Sequence, residues 1–221
     1  MRIDPAGWPF ITGPLAPAAV LTGAGRAGGR RGLRLAAWPF ALLSAYMALF
    51  FRDPDRRCDA EAPAPDDVLS PADGVVMVAG ESQDGVAPEG DWQQVSVFLS
   101  VVDVHVNRSP YQGEVVESSY RRGSFLAAYR KESAQRNERS ELWLRDGDRT
   151  VVFRQIVGVL ARRIVTRTGV GQRLATGERM GLMKFGSRMD VFVPRDCAVL
   201  VRVGQRVRGG ETVIARWSGA R

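Results

Sequence analysis

The sequence predicts a mainly-β domain of sandwich or hybrid-barrel type, preceded by a short apolar helical segment that associates with a membrane. Three observations carry this. From Val68 onward, short stretches alternate apolar with polar residues, are rich in Val, Ile and Phe, and are separated by Gly, Asp or Pro. Toward the C-terminus, Val203-Gly204-Gln205-Arg206-Val207-Arg208-Gly209-Gly210-Glu211-Thr212-Val213-Ile214-Ala215 places a sharp turn between two short strands. The N-terminal residues show neither pattern and instead hold two uncharged runs with arginines between them.

In chain order, residues 5–25 are uncharged but interrupted by Pro5, Pro9, Pro14 and Pro17, which a regular spanning helix tolerates poorly. Arg26, Arg30, Arg31 and Arg34 follow, and then a second uncharged run from Leu35 to Phe51, with Trp38, Tyr46, Phe50 and Phe51 near its ends. At helical rise it reaches about 26 Å, against roughly 30 Å of hydrocarbon core. Pro39 suits a first helical turn. A signal peptide (Ala16-Pro17-Ala18 mimics a cleavage site) and a buried core helix are the alternatives to a membrane hairpin or single short anchor. Interfacial aromatics and arginines facing anionic headgroups favour the membrane reading for residues 1–52. If Arg26–Arg34 and Arg52 share the cytoplasmic side, the segment dips in rather than crossing.

Residues 53–67, rich in Pro and charge, predict a linker, and residues 68–221 the folded domain. Strands are expected over Gly74–Val78, Gln94–Leu99, Gly113–Ser119, Glu141–Arg145, Thr150–Val157, Arg163–Val165, Asp190–Val193, Val199–Val203 and Thr212–Trp217. Phe125–Arg130 reads as a short helix or ordered loop. The C-terminal turn looks like half of a biotinyl/lipoyl-type hybrid barrel, with Ser70-Pro71-Ala72-Asp73-Gly74-Val75-Val76 opening the matching half.

The net charge of +7 comes almost wholly from arginine, since Lys131 and Lys184 are the only lysines. With no zinc finger, RNA-binding signature or aromatic-basic platform, the charge points to an anionic membrane surface rather than to nucleic acid. Cys58 and Cys197 are too few and too far apart for a metal site or disulfide framework, and read as reduced thiols. A single histidine, His105, excludes a multi-histidine metal centre. Gly23-Ala24-Gly25-Arg26-Ala27-Gly28 matches a dinucleotide fingerprint in letters only: prolines precede it and no acid appears before Asp53.

The stretch with chemical promise is Met180-Gly181-Leu182-Met183-Lys184-Phe185-Gly186-Ser187-Arg188-Met189-Asp190. Gly186 has no Cβ, so its carbonyl can be approached closely, and Ser187 puts a hydroxyl beside it. Such a pair allows a hydroxyl to attack its own preceding peptide bond, although Gly-Ser pairs are also common in turns. Three further stretches precede it in order: Ser70-Pro71-Ala72-Asp73-Gly74, Asp103-Val104-His105-Val106-Asn107-Arg108-Ser109-Pro110 and Gln135-Arg136-Asn137-Glu138-Arg139. With Phe50-Phe51-Arg52-Asp53-Pro54, the set resembles the phosphatidylserine decarboxylases, in particular their short, pyruvoyl-dependent bacterial and archaeal branch. The resemblance runs from about Gly7 to Trp217.

That resemblance implies a self-processing enzyme that converts phosphatidylserine to phosphatidylethanolamine and CO2 in phospholipid biosynthesis. It implies a cut between Gly186 and Ser187, a large chain 1–186, a small chain 187–221 that stays associated, and a pyruvoyl group made from Ser187. Decarboxylation needs an electron sink, and the pyruvoyl ketone supplies one without external cofactor or metal. Lys131 and Lys184 are poor anchors for pyridoxal phosphate. His105 is implied to transfer protons, and Asp73 to orient or assist the base. The longer branch carries a second histidine three positions after the first, where this chain has Arg108, so the partner of Asp73 is left open. Arg108 is assigned either to substrate phosphate or carboxylate or to a structural ion pair. Asn137, Glu138 and Lys184 are substrate-binding candidates, and Arg188 a pocket residue. The expected location is the cytoplasmic face of the cell membrane, peripheral or short-anchored. Self-association stays open. The alternatives are a membrane-tethered hybrid-barrel adaptor without chemistry, and a decarboxylase of a related phosphoserine lipid.

Overall fold

The computed structural model describes residues 2–56, 63–159, 163–185 and 187–218. They fall into two compact units, Met1–Asp55 and Arg56–Arg221. The expected linker over 53–67 lies partly, and Cys58 wholly, outside the described residues.

The first unit is a helical hairpin. Strand β1 (Arg2–Ile3), helix α1 (Trp8–Ala27), helix α2 (Arg31–Phe50) and strand β2 (Arg52–Asp53) follow in order, and β1 pairs antiparallel with β2. The continuous α1 corrects the expectation that its prolines break a helix: Pro14 and Pro17 lie inside it. An interior proline costs an isolated helix about 3 kcal/mol, but here packing against α2 decides. Ile11, Ala18 and Gly25 are buried at seven-residue intervals, as are Ala37, Ser44 and Phe51. Ser44 Oγ donates to Ile11 O at 2.8 Å, and a Cβ on Gly25 would come within 2.7 Å of Arg34 Cγ. Small residues let the two backbones approach. The outward faces are apolar, with Trp8, Leu15, Val20, Leu35, Trp38 and Leu42 all exposed. By length and composition α2 could cross a membrane, which is consistent with membrane association.

The second unit is built almost entirely of strands: β3 (Asp67–Leu69), β4 (Gly74–Glu81), β5 (Trp92–Leu99), β6 (Val106–Arg108) and β7 (Gly113–Arg121). A one-turn helix α3 (Ser133–Arg136) follows. Next come β8 (Arg139–Asp146), β9 (Arg149–Val157), β10 (Ile164–Thr166), β11 (Arg173–Leu174) and β12 (Arg179–Met183). The last are β13 (Ser187–Pro194), β14 (Cys197–Val199), β15 (Arg206–Val207) and β16 (Val213–Trp217). An eight-stranded sheet, ordered β11-β7-β8-β9-β13-β5-β4-β15, curls into a half-barrel. Two three-stranded sheets, β10-β12-β6 and β14-β16-β3, accompany it. The mainly-β expectation is met. The C-terminal turn does meet the Ser70–Val76 segment: Val207 pairs with Gly74, Arg206 with Val75, and Ser70 N donates to Thr212 O.

Alternation along the strands fills one face of the large sheet with Val97, Leu99, Phe153, Met189 and Val191, all buried in the main core. Val152, Ile156 and Phe192 from the other face pack with Val86 and Ala134. Both faces of β13 are therefore covered. Cys197 is buried and free; burial pushes its thiol up to about 12, so it is an unreactive core residue.

Two element predictions need correction, and a third resolves between its alternatives. The strand expected from Asp190 begins at Ser187, because Arg188 and Asp190 neutralise each other inside the protein. The strand expected over Val199–Val203 is instead Cys197–Val199, since the chain turns where Gln205 N bonds Arg202 O and Gly204 takes φ 86°. Phe125–Arg130 is an ordered loop, and the nearby helical turn is α3.

Candidate active site

Two connections join the large sheet to the β10-β12-β6 sheet, side by side. One leaves β5 at Leu99 and enters β6 at Val106; the other leaves β12 at Met183 and enters β13 at Ser187. Ser187 is the register partner of Leu99, and Leu182 that of Val106. Met183 N also donates to His105 O at 3.3 Å. The two crossings are pinned together, Ser187 beside Leu99 at one end and His105 beside Met183 at the other, so both residues belong to the corner that these crossings form.

Ser187 opens β13 between Leu99 on one side and Val157 on the other. It is fully buried, and its Oγ has no hydrogen-bond partner among the described residues. A buried hydroxyl left unsatisfied costs about 1–3 kcal/mol. Two residues upstream, Phe185 takes φ 68°. A bulky side chain in the left-handed region stores roughly 1–3 kcal/mol of strain. Gly186, between them, lies outside the described residues. A cavity of about 130 Å³ opens beside the corner, walled by Phe98, Tyr129, Gly158, Val159 and Phe185 among others. Phe98 and Gly158 adjoin the two strand partners of Ser187.

His105 is fully buried, with Nδ1 2.9 Å from the Asp103 carbonyl. A carbonyl can only accept, so Nδ1 carries the hydrogen and Nε2 is the basic atom of the neutral ring. Asp103 in turn locks its own loop: Oδ2 accepts from Ser100 N at 2.8 Å and Ser100 Oγ at 2.6 Å, and Oδ1 accepts from Arg206 at 3.1 Å. Burial alone would raise this carboxyl, but the Ser100 bonds and Arg206 hold it below its ordinary 3.8. With the folded value depressed, the stabilisation is complete above the ordinary value and disappears as pH falls through the lowered one. Thermal midpoints should therefore fall less between pH 6 and pH 3 in Asp103→Asn than in the parent chain. Equal losses in both would show that Asp103 contributes nothing to the acid response.

The other expected site residues are distributed as follows. Asp73 is gripped by Arg56 through both carboxylate oxygens and also accepts from Gly209 N at 2.8 Å. Its partner, left open by the sequence, is thus an arginine from the N-terminal edge of this unit. Arg108 N donates to Pro71 O and its guanidinium to Gly177 O at 3.0 Å; a Cβ on Gly210 would meet its Cδ at 2.6 Å. Arg108 therefore gathers with the Asp73 turn rather than with Ser187. Asn137 is buried, its Nδ2 donating to Leu126 O and Val157 O and its Oδ1 accepting from Leu126 N, so it ties the 124–130 loop to the strand end opposite Ser187. Glu138 accepts from the Tyr120 hydroxyl, and burial followed by that carboxylate pushes the phenol up to about 12. Lys184 is half-buried in the β12–β13 connection, its N–H donating to Arg163 O. Arg188 points away from Ser187 across the strand, with Nε on Asp190 at 2.6 Å and Nη2 on Gln83 and Ser96.

Sequence reasoning missed Asp103 as the residue that fixes the histidine. The Ser100-Val101-Val102-Asp103 spacing, suited to a side chain capping a turn, was the available signal. Nothing in the sequence announces the strained Phe185.

The family model for phosphatidylserine decarboxylase matches residues 43–215. A phosphatidylserine decarboxylase proenzyme of Symbiobacterium thermophilum is 44% identical over 95% of this chain and 93% of its own. That of Nitrosomonas europaea is 41% identical over 96% and 93%. That of Solibacter usitatus is 44% identical over 82% and 84%.

Proposed function

Since the chain belongs to the phosphatidylserine decarboxylase family, we propose that this decarboxylase is made as a proenzyme that cuts its own backbone between Gly186 and Ser187. Its product is phosphatidylethanolamine for phospholipid biosynthesis, and the apolar hairpin tethers the enzyme to the cytoplasmic face of the membrane. The observation that carries the reading is the buried Ser187 Oγ, without a partner among the described residues, two positions after the strained Phe185.

Serine is a weak nucleophile until a base takes its proton, and His105 Nε2 is the basic atom at this corner. Ser187 Oγ attacks the Gly186 carbonyl carbon, the C–N bond breaks, and the nitrogen takes the proton, leaving an ester. Loss of the Ser187 Cα proton then breaks the Cβ–O bond and frees a carboxylate on Gly186. Addition of water and departure of ammonia leave a ketone at the head of residues 187–221. The strain at Phe185 favours opening of the neighbouring bond. The residues present fit this group, since a reactive oxygen stands buried, unengaged and next to a cavity. The pyruvoyl group supplies an electron sink for the pair left behind by CO2. His105 returns a proton to the carbon that lost the carboxylate. Asp103 holds the imidazole, while Asp73, through Arg56 and Gly209, fixes the turn whose Pro71 carbonyl accepts from the Arg108 backbone. Glu138 and Lys184, both partly exposed, are the candidates to meet the headgroup, whereas Asn137, buried with its amide fully engaged, shapes the loop and does not contact the substrate.

Denaturing mass spectrometry of active protein should give two species, residues 1–186 and 187–221, the smaller blocked to N-terminal sequencing. Activity from a single intact chain would end this reading.

A further inference from the structure

Asn107, in the middle of β6, is fully buried. Its Oδ1 accepts from Gln155 Nε2 at 2.8 Å, and Gln155 Oε1 accepts from Thr166 Oγ1 at 3.1 Å. The amide is thus fixed from behind by a relay of two side chains. Its Nδ2 is left buried with no acceptor among the described residues. Proteins rarely leave such a donor orphaned without a reason, because it costs about 1–3 kcal/mol.

The relay also shows where the donor stands. Gln155 is the register partner of Met189, and Val157 that of Ser187. By the two-residue period of a strand, Gln155 and Ser187 therefore project from the same face of the large sheet. The same period puts His105 on the side of β6 that carries Asn107, and Arg108 on the other. Gly181, opposite Asn107, leaves the relay its room: a Cβ there would lie 3.2 Å from Gln155 Nε2 and 2.4 Å from Val165 O. Two buried polar atoms without partners, Ser187 Oγ and Asn107 Nδ2, thus belong to one corner with His105.

Building on the decarboxylase reading above, we infer that Asn107 is a substrate-binding residue whose Nδ2 donates to a carboxylate oxygen of the serine headgroup. A donor takes an oxygen, not the amine. In the substrate the carboxylate is bonded to the same carbon as the amine, so once the amine is engaged at residue 187 the carboxylate lies a bond or two away. The phosphate is further along the headgroup, toward the open side. A neutral amide also suits the chemistry. It orients the carboxylate without neutralising a charge that must leave it, whereas a guanidinium would favour the ground state over the transition state.

The test uses Asn107→Leu, which keeps the volume and removes the donor, and Asn107→Asp, which keeps the shape and the acceptor toward Gln155. Cleavage into two chains should proceed in both. For cleaved Asn107→Leu, kcat/KM for phosphatidylserine should fall about 10- to 100-fold, and more for Asn107→Asp, whose charge repels the carboxylate. The inhibition constant of phosphatidylethanolamine, which has no carboxylate, should stay unchanged in Asn107→Leu. On the uncut Ser187→Ala chain, calorimetry should show tighter binding of O-phosphoserine than of phosphoethanolamine, and addition of Asn107→Leu should abolish the difference. A folded Asn107 variant that fails to cut would assign the donor to maturation instead and overturn the inference. An equal loss of affinity for both headgroups, or no loss, would overturn it too. Should Asn107→Leu not fold, Asn107→Asp decides alone by the same ratio of headgroup affinities. A parent chain that is active without cutting would sink the maturation reading first, and this inference with it.

Discussion

Ser187→Ala should give one uncut chain of 221 residues that releases no CO2 from phosphatidylserine. On the proposed mechanism the hydroxyl is both the attacking group and the material from which the ketone is made, so no second route remains. What makes the experiment clean is the environment of the oxygen. Because Ser187 Oγ has no hydrogen-bond partner among the described residues, its removal strands none of them, and deleting an unsatisfied buried polar atom is close to neutral or mildly stabilising. The thermal midpoint of the variant should therefore match or exceed that of the uncut parent. CO2 release from this variant would eliminate the mechanism, and a collapse in stability would show that the hydroxyl has a structural use.

His105→Gln should slow at least one of the two steps, cutting or decarboxylation, by about 10²- to 10⁴-fold, the usual scale for a positioned acid–base group. Glutamine keeps an amide donor for the Asp103 carbonyl, so the loop has less reason to rearrange than with alanine. The step is identified by timing the appearance of residues 187–221 separately from CO2 release by chain already cut. If both rates match the parent, His105 is a packed core residue and another group moves the protons.

The β architecture was legible because its strands satisfy the alternation rule locally: Gln94–Leu99 and Thr150–Val157 need no distant partner to be read. Ser187–Asp190 was not, since Ser-Arg-Met-Asp looks like a polar turn. It becomes a fully buried strand only when Arg188 finds Asp190, Ser96 and Gln83, and the last two come from elsewhere in the chain. The helix α1 was hidden for a related reason, its prolines being tolerated through contacts with α2 that no local window contains. At the site, Ser187 and His105 could be found by their chemistry and the order of the surrounding segments. The partner of Asp73 could not, because Arg56 sits in a stretch that reads as a linker. Asp103 and Gln155 act through one carbonyl and one amide, and composition carries no trace of either.

Strand β13 has a neighbour on each side, β9 and β5, along nearly its whole length. The proposed nick at its head would therefore remove one covalent link while two ladders of backbone bonds continue to hold the severed piece. The new terminus would not be a loose end that must find its place. It would be born already threaded through the middle of the domain, so the reactive carbon would inherit the rigidity of the core and the two polypeptides should part only when the whole unit melts.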